Sequence, residues 1–61
     1  MTNPQTIAEE YMDNYGADAS IRLKEKIQSM SFQFDTMGYT SQELYEHKQL
    51  KQALKIIQDH E

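Results

Sequence analysis

The chain of 61 residues contains no cysteine, valine or tryptophan, and has one proline and two glycines. Without cysteine it can form no disulfide bond and no thiolate metal site, and it gives no indication of redox compartment. The residues that are abundant instead (Gln, Glu, Lys, Met and Ala) are good helix formers. We therefore expect an all-α protein.

Long apolar runs and basic character are also missing. No stretch approaches the ~18 apolar residues of a membrane span, and no charged-then-apolar leader is present. We expect a cytoplasmic protein that does not span a membrane. The net charge is -4, and residues 1–18 carry four acidic side chains and no basic one. An acidic total disfavours nucleic-acid binding, which normally needs a basic surface.

The small size limits the core. We expect residues 1–61 to form a single helical domain. Such a chain buries only about 60% of the surface that its unfolded form exposes. Domains of this size usually need a disulfide, a structural metal or oligomerisation. The absence of cysteine removes disulfides and thiolate metal sites from these means of support.

The first predicted helix covers residues 4–15. Asn3 can cap it, and Pro4 suits the first helical position. Five apolar or aromatic residues then share one face of the helix: Ile7, Ala8, Tyr11, Met12 and Tyr15. The predicted stop is at Gly16, and the acidic residues of the segment point mostly away from this face. An isolated helix of this length is marginal in water, so we expect it to dock on the rest of the chain or fray.

Two longer helices, residues 19–36 and 41–59, each carry an apolar seam with heptad spacing. In the second helix, which Asp18 or Ser20 could cap, the seam consists of Leu23, Ile27, Met30, Phe34 and Met37. In the third helix it consists of Leu50, Leu54 and Ile57, preceded on the same face by Glu43 and His47. The repeat predicts that these two seams face each other.

The segment between the two helices predicts a tight turn. Gly38 can close a helix because it has no Cβ. Thr40 and Glu43 are spaced as a capping box, and Tyr39 and Leu44 as a hydrophobic staple. An antiparallel hairpin folded here pairs the seams, with Phe34 opposite His47 at the closed end. The sequence thus predicts a helical hairpin preceded by a short N-terminal helix.

Several apolar residues fall off the seams and need another cover. The first helix could lie across the hairpin to make a three-helix monomer, or two hairpins could pair into a dimeric four-helix bundle. We expect the homodimer, because two faces need cover and the first helix is short. Together with the turn tyrosine, these residues form the candidate partner surface: Ile21, Phe32, Tyr39, Tyr45 and Ile56.

No pattern for catalysis is present. The chain has no nucleophile elbow and no glycine-rich phosphate loop. Glu43 and His47 have a spacing that can chelate a metal, but further ligands are lacking and Glu43 is better explained as a helix cap. We expect no enzyme, no cofactor and no metal. As an alternative function, a lysine flank on the third helix could contact phosphate, extended by Arg22 and Lys26; its residues are Lys48, Lys51 and Lys55.

The two seams and the capped Met37-to-Leu44 turn, in a small acidic chain without cysteine, resemble the short early-region accessory proteins of lambda-like phages. This resemblance is architectural and assigns no site residue. It implies a non-enzymatic protein made early in lytic growth, which acts on a host protein by binding it. We therefore expect a protein-binding modulator.

Overall fold

The computed structural model describes residues 3–60, which form three α-helices. These are α1 (Pro4–Tyr15), α2 (Ala19–Met37) and α3 (Ser41–Asp59), with a 3₁₀ turn at Gly16–Asp18 between α1 and α2. No strand occurs among these residues, and the predicted all-α class is confirmed. The ends of the predicted domain, Met1, Thr2 and Glu61, lie outside the described residues.

The helix ends follow local capping chemistry. At the start of α1, the Oδ1 atom of Asn3 accepts a hydrogen bond from the backbone N–H of Thr6 at 2.8 Å. At the start of α3, Thr40 Oγ1 accepts from the N–H of Glu43 at 3.2 Å, and Glu43 Oε1 accepts from the N–H of Thr40 at 3.0 Å. Gly38 ends α2 with a φ of 82°. The predicted capping box is therefore present.

All three helices contribute to one core. Its fully or nearly fully buried apolar side chains are Ile7 and Ala8 from α1, Ala19 and Leu23 from α2, and Ala53 and Ile57 from α3. Three of these six are alanines, whose small side chains allow helices to approach closely. α1 packs against both α2 and α3. One chain therefore forms a three-helix arrangement, which is the monomeric alternative that the sequence left open.

The seams point into this core with one exception. Leu23 and Ile57 are buried, and the other seam residues are half-buried: Ile27, Met30, Phe34, Leu50 and Leu54. Met37 is 74% exposed, so its predicted place in the seam is wrong. It is the last residue of α2, and α3 begins only at Ser41.

Contacts between aromatic rings stabilise the closed end of the hairpin. The Phe34 and His47 rings meet edge to face with centroids 5.1 Å apart, as the seam pairing predicts. Tyr39 packs against Phe34, and the centroids of the two rings are 5.0 Å apart. His47 Nε2 also donates a hydrogen bond to the backbone carbonyl of Ile27 at 3.2 Å. These contacts fix α3 against α2 near the turn.

Candidate functional site

The residues with possible metal or acid–base chemistry have structural roles. Glu43 accepts the Thr40 N–H as a cap, and His47 is 6% exposed with its Nε2 bonded to Ile27. Within residues 3–60, no three His, Asp or Glu side chains lie close enough together to hold a metal ion. The same residues include no helix that is long and apolar enough to cross a membrane.

An open groove of about 830 Å³ is lined by residues of all three helices. We call it the closed-end groove, because its α3 wall begins one residue after the start of that helix. Its lining residues are Ile7, Glu10 and Tyr11 of α1, Lys26, Met30 and Gln33 of α2, and Gln42, Glu43, Tyr45, Glu46, Gln49 and Leu50 of α3. The groove thus runs from the side of α1 toward the α2–α3 turn.

The closed-end groove exists because the helices differ in length. α1 has 12 residues, whereas α2 and α3 have 19 each. At 1.5 Å per residue, α1 is about 10 Å shorter than its neighbours. Its C-terminal end lies at the open end of the hairpin, where Met12 and Gly16 line a small cavity with Ile57 and His60. The hairpin is therefore left without a third helix near its turn.

The groove combines an apolar floor with acidic walls. Met30 and Leu50 supply apolar surface, the rings of Tyr11 and Tyr45 add to it, and the nearly buried Ile7 contributes little. The charged lining comprises three carboxylates, Glu10, Glu43 and Glu46, against the single ammonium group of Lys26. An amphipathic binding partner with basic flanks would fit this combination better than an acidic one.

Gln49 adds a polar group that lacks a partner. Its side-chain Oε1 is buried and accepts no hydrogen bond within the described part of the chain. A buried acceptor without a donor costs free energy, because it has lost its water and gained nothing in return. Gln49 lines the closed-end groove, so a donor brought by a bound molecule could satisfy this oxygen after a rotation of the side chain toward the groove.

The candidate partner surface does not form one patch. Ile21 and Phe32 are exposed on α2, but they are eleven residues apart, or about 16 Å along the helix. Tyr39 lies in the turn against Phe34, and Tyr45 lines the closed-end groove. Ile56 is half-buried and packs against the core. The structure therefore removes Ile56 from the exposed surface and assigns Tyr45 to a different site from Phe32.

The predicted lysine flank is exposed, but without its proposed extension. Lys48, Lys51 and Lys55 are all exposed on α3, and their spacing of three and four residues places them on one helical face. Arg22 instead lies over the ring of Tyr15, with its guanidinium carbon 5.7 Å from the ring centroid. Lys26 lines the closed-end groove. The flank therefore consists of three lysines.

Tyr11 of α1 lines the closed-end groove and also packs against the core. It is half-buried, and its ring lies 5.4 Å from that of Tyr15, centroid to centroid. Burial of the phenol, and to a lesser extent the neighbouring Tyr15, raise the pKa of Tyr11 above its usual value of 10.0. Tyr11 is therefore neutral near pH 7 and can present its hydroxyl to a molecule in the groove.

The groove was missed from the sequence because its residues come from the flanks of all three helices. Glu10, Lys26, Gln33 and Gln42 carry no motif, and only a docked α1 brings Glu10 near Met30 and Leu50. The sequence did carry one signal, the difference between the predicted helix lengths. A short first helix must leave part of the hairpin uncovered.

Comparisons with protein-family models, curated proteins and solved structures find no significant match for this chain. The fold and the groove define it as a small three-helix protein with an open, acidic-walled groove.

Proposed function

We propose that this protein binds another protein and modulates it without catalysing a reaction. The observation that supports this most directly is Phe32, a large aromatic side chain that is 72% exposed on the outer face of α2. Aromatic residues dominate the energetics of protein interfaces, because they bury much apolar area with little loss of conformational freedom. Ile21 is exposed on the same helix. On the resemblance to phage early proteins, the partner would be a host protein.

An affinity-capture experiment with three variants tests this function. Wild type should retain a specific host protein, Phe32→Ala should lose it, and Lys51→Glu should retain it. Met37→Ala is the matched control, because Met37 is an equally exposed apolar residue of the same helix. Equal loss with Phe32→Ala and Met37→Ala would show that the capture is non-specific and would contradict the proposal.

The homodimer remains a proposal, and the support for it is the outer face of α2. α1 covers one side of the hairpin, whereas Ile21 and Phe32 stay uncovered by the chain itself. Sedimentation over a range of concentrations distinguishes the two uses of this face. A dimer that Phe32→Ala dissociates would assign the face to a second copy. A monomer at every concentration would contradict the dimer and leave Phe32 free for another protein.

A second candidate function is contact with nucleic acid through Lys48, Lys51 and Lys55. The exposure of all three lysines on one face of α3 favours it. Labelled duplex should then bind at about 50 mM salt and dissociate as salt rises, because such contacts depend on counterion release. Lys51→Glu should weaken binding. No binding at low salt would exclude this function.

A further inference from the structure

The closed-end groove has the dimensions of a short helix-binding site. Its α3 wall spans residues 42–50, which at 1.5 Å per residue is about 12 Å, or two to three helical turns. The walls are themselves helix faces, and an amphipathic helix can lay its apolar face into a groove of this kind. The apolar floor of Met30 and Leu50, with the rings of Tyr11 and Tyr45 beside it, could receive the i, i+3 and i+4 side chains of an amphipathic helix.

The charges of the groove select the character of that helix. Glu10 on α1 and Glu46 on α3 are exposed carboxylates that line it, and Glu43 lies half-buried in the same lining. Lys26 is the cation among the lining residues. An occupant with Lys or Arg beside its apolar stripe would meet opposite charges, whereas an acidic one would be repelled.

The unpartnered Gln49 carbonyl supports the same choice independently of charge. Its Oε1 is buried without a donor, and Gln49 belongs to the groove lining. Lys and Arg carry several N–H donors and no acceptor. A basic side chain would relieve the cost of the unpaired acceptor once the Gln49 side chain rotated to turn this oxygen into the groove.

A second copy of this chain fits the groove less well. Each copy has a net charge of -4, so two copies repel each other at long range. The basic face of the chain, Lys48, Lys51 and Lys55, has one large exposed apolar neighbour in register, Leu44. One leucine would leave most of the apolar floor uncovered.

We propose that the closed-end groove binds a basic amphipathic helix of a partner protein, which packs beside α1 as a fourth helix against the hairpin. This proposal rests on the proposed protein-binding function and names the chemistry of the partner. It places the binding site in the groove, apart from Phe32 on the outer face of α2.

A pair of synthetic peptides tests the proposal. Both are labelled helices of about 18 residues with the same Leu/Ile stripe. One carries Lys and Arg beside the stripe, and the other carries Glu at those positions. Fluorescence anisotropy with the full chain should show binding of the basic peptide, weakened by added salt, and no binding of the acidic one. Absence of binding by both peptides, or equal binding of both, would overturn the proposal.

Charge reversal in the groove provides the matched variants. Glu46→Lys should weaken binding of the basic peptide about tenfold, because an attractive pair becomes repulsive, and should improve binding of the acidic peptide. Glu25→Lys makes the same change at an exposed carboxylate of α2 outside the groove and should alter affinity less than about twofold. Equal effects of both variants would reduce the interaction to general electrostatics and would overturn the groove as the site.

Two further outcomes separate this proposal from the function on which it rests. If Phe32→Ala abolishes peptide binding and Glu46→Lys does not, the peptide binds the outer face of α2; the groove proposal fails and protein binding stands. If sedimentation shows wild-type self-association that Glu46→Lys abolishes and the basic peptide does not displace, a second copy occupies the groove, which also overturns the proposal. Methyl shifts of Met30 and Leu50 upon titration with the basic peptide would support it directly.

Discussion

His47 is buried in an otherwise apolar core because its neighbours meet the needs of its ring. Its Nε2 must carry a proton, since its partner at 3.2 Å is the carbonyl oxygen of Ile27. The edge-to-face contact with Phe34 places ring against ring, an arrangement that aromatic side chains favour. A histidine held in this way joins α2 to α3 through its Nε2.

Tyr11 makes the stability of the protein sensitive to alkaline pH. Its pKa is raised in the folded state, so its contribution is fully present below the unfolded-state pKa of about 10 and is lost as pH rises through the folded-state value. In Tyr11→Phe no proton can leave. We expect the free energy of unfolding, measured in urea between about pH 9 and 11, to fall less steeply with pH in Tyr11→Phe than in wild type. Parallel pH profiles would contradict this prediction.

The limits of the helices were largely predictable because they depend on local chemistry. Asn3 with Pro4 starts α1, and the reciprocal bonds of Thr40 and Glu43 start α3; both signals are contained within four residues. The start of α2 was harder to predict from the sequence. Asp18 precedes it, but its side chain makes no capping bond. A 3₁₀ turn precedes it instead, and the N–H of Ala19 donates to the Gly16 carbonyl.

The turn between α2 and α3 depends on the backbone of Gly38. Its φ of 82° is one that side-chain-bearing L-residues rarely adopt, although an added Cβ would meet no atom within 4 Å. We expect Gly38→Val to destabilise the fold by about 1–2 kcal/mol through backbone strain, and to lower the melting temperature by roughly 5–15 °C. Circular dichroism melts would measure this.

Met37→Ala is the control for Gly38→Val, because it changes an exposed residue next to the turn and should leave the melting temperature nearly unchanged. If Gly38→Val melts like wild type, the chain does not need a positive φ at this position and the hairpin can turn by another route.

The arrangement of the three helices was only partly predictable. Periodicity shows which face of each helix is apolar, and this placed Leu23 and Ile57 in the core. Periodicity does not show which neighbour covers a second face. Ile56 falls off the seam of α3, yet it is half-buried and packs against the core. The closed-end groove was not predictable for the same reason, since its lining depends on where α1 docks.

Because α1 contributes to the common core, we expect the three helices to unfold together. Ile7 is 7% exposed and belongs to the core cluster. Ile7→Ala should cost about 2–3 kcal/mol through lost burial and the cavity that remains. Urea unfolding followed by circular dichroism should show a single transition shifted to lower urea.

Phe32→Ala is the comparison for Ile7→Ala, since it removes a larger side chain from an exposed site and should change stability by no more than about 0.5 kcal/mol. A second transition in Ile7→Ala would mean that α1 detaches while α2 and α3 remain folded. That result would contradict a core common to all three helices.

The two glycines that end α1 and α2 have a consequence for the chirality of the chain. Gly16 has φ 56° and ψ -120°, and Gly38 has φ 82° and ψ -171°. The mirror images of both conformations lie in or at the edge of the extended region that L-residues favour, so both sites suit residues of the opposite hand. Within residues 3–60, no other position has a positive φ. A synthetic chain with D-alanine at these two sites should keep the same fold. It should melt above the glycine form, because its unfolded state has less freedom to lose.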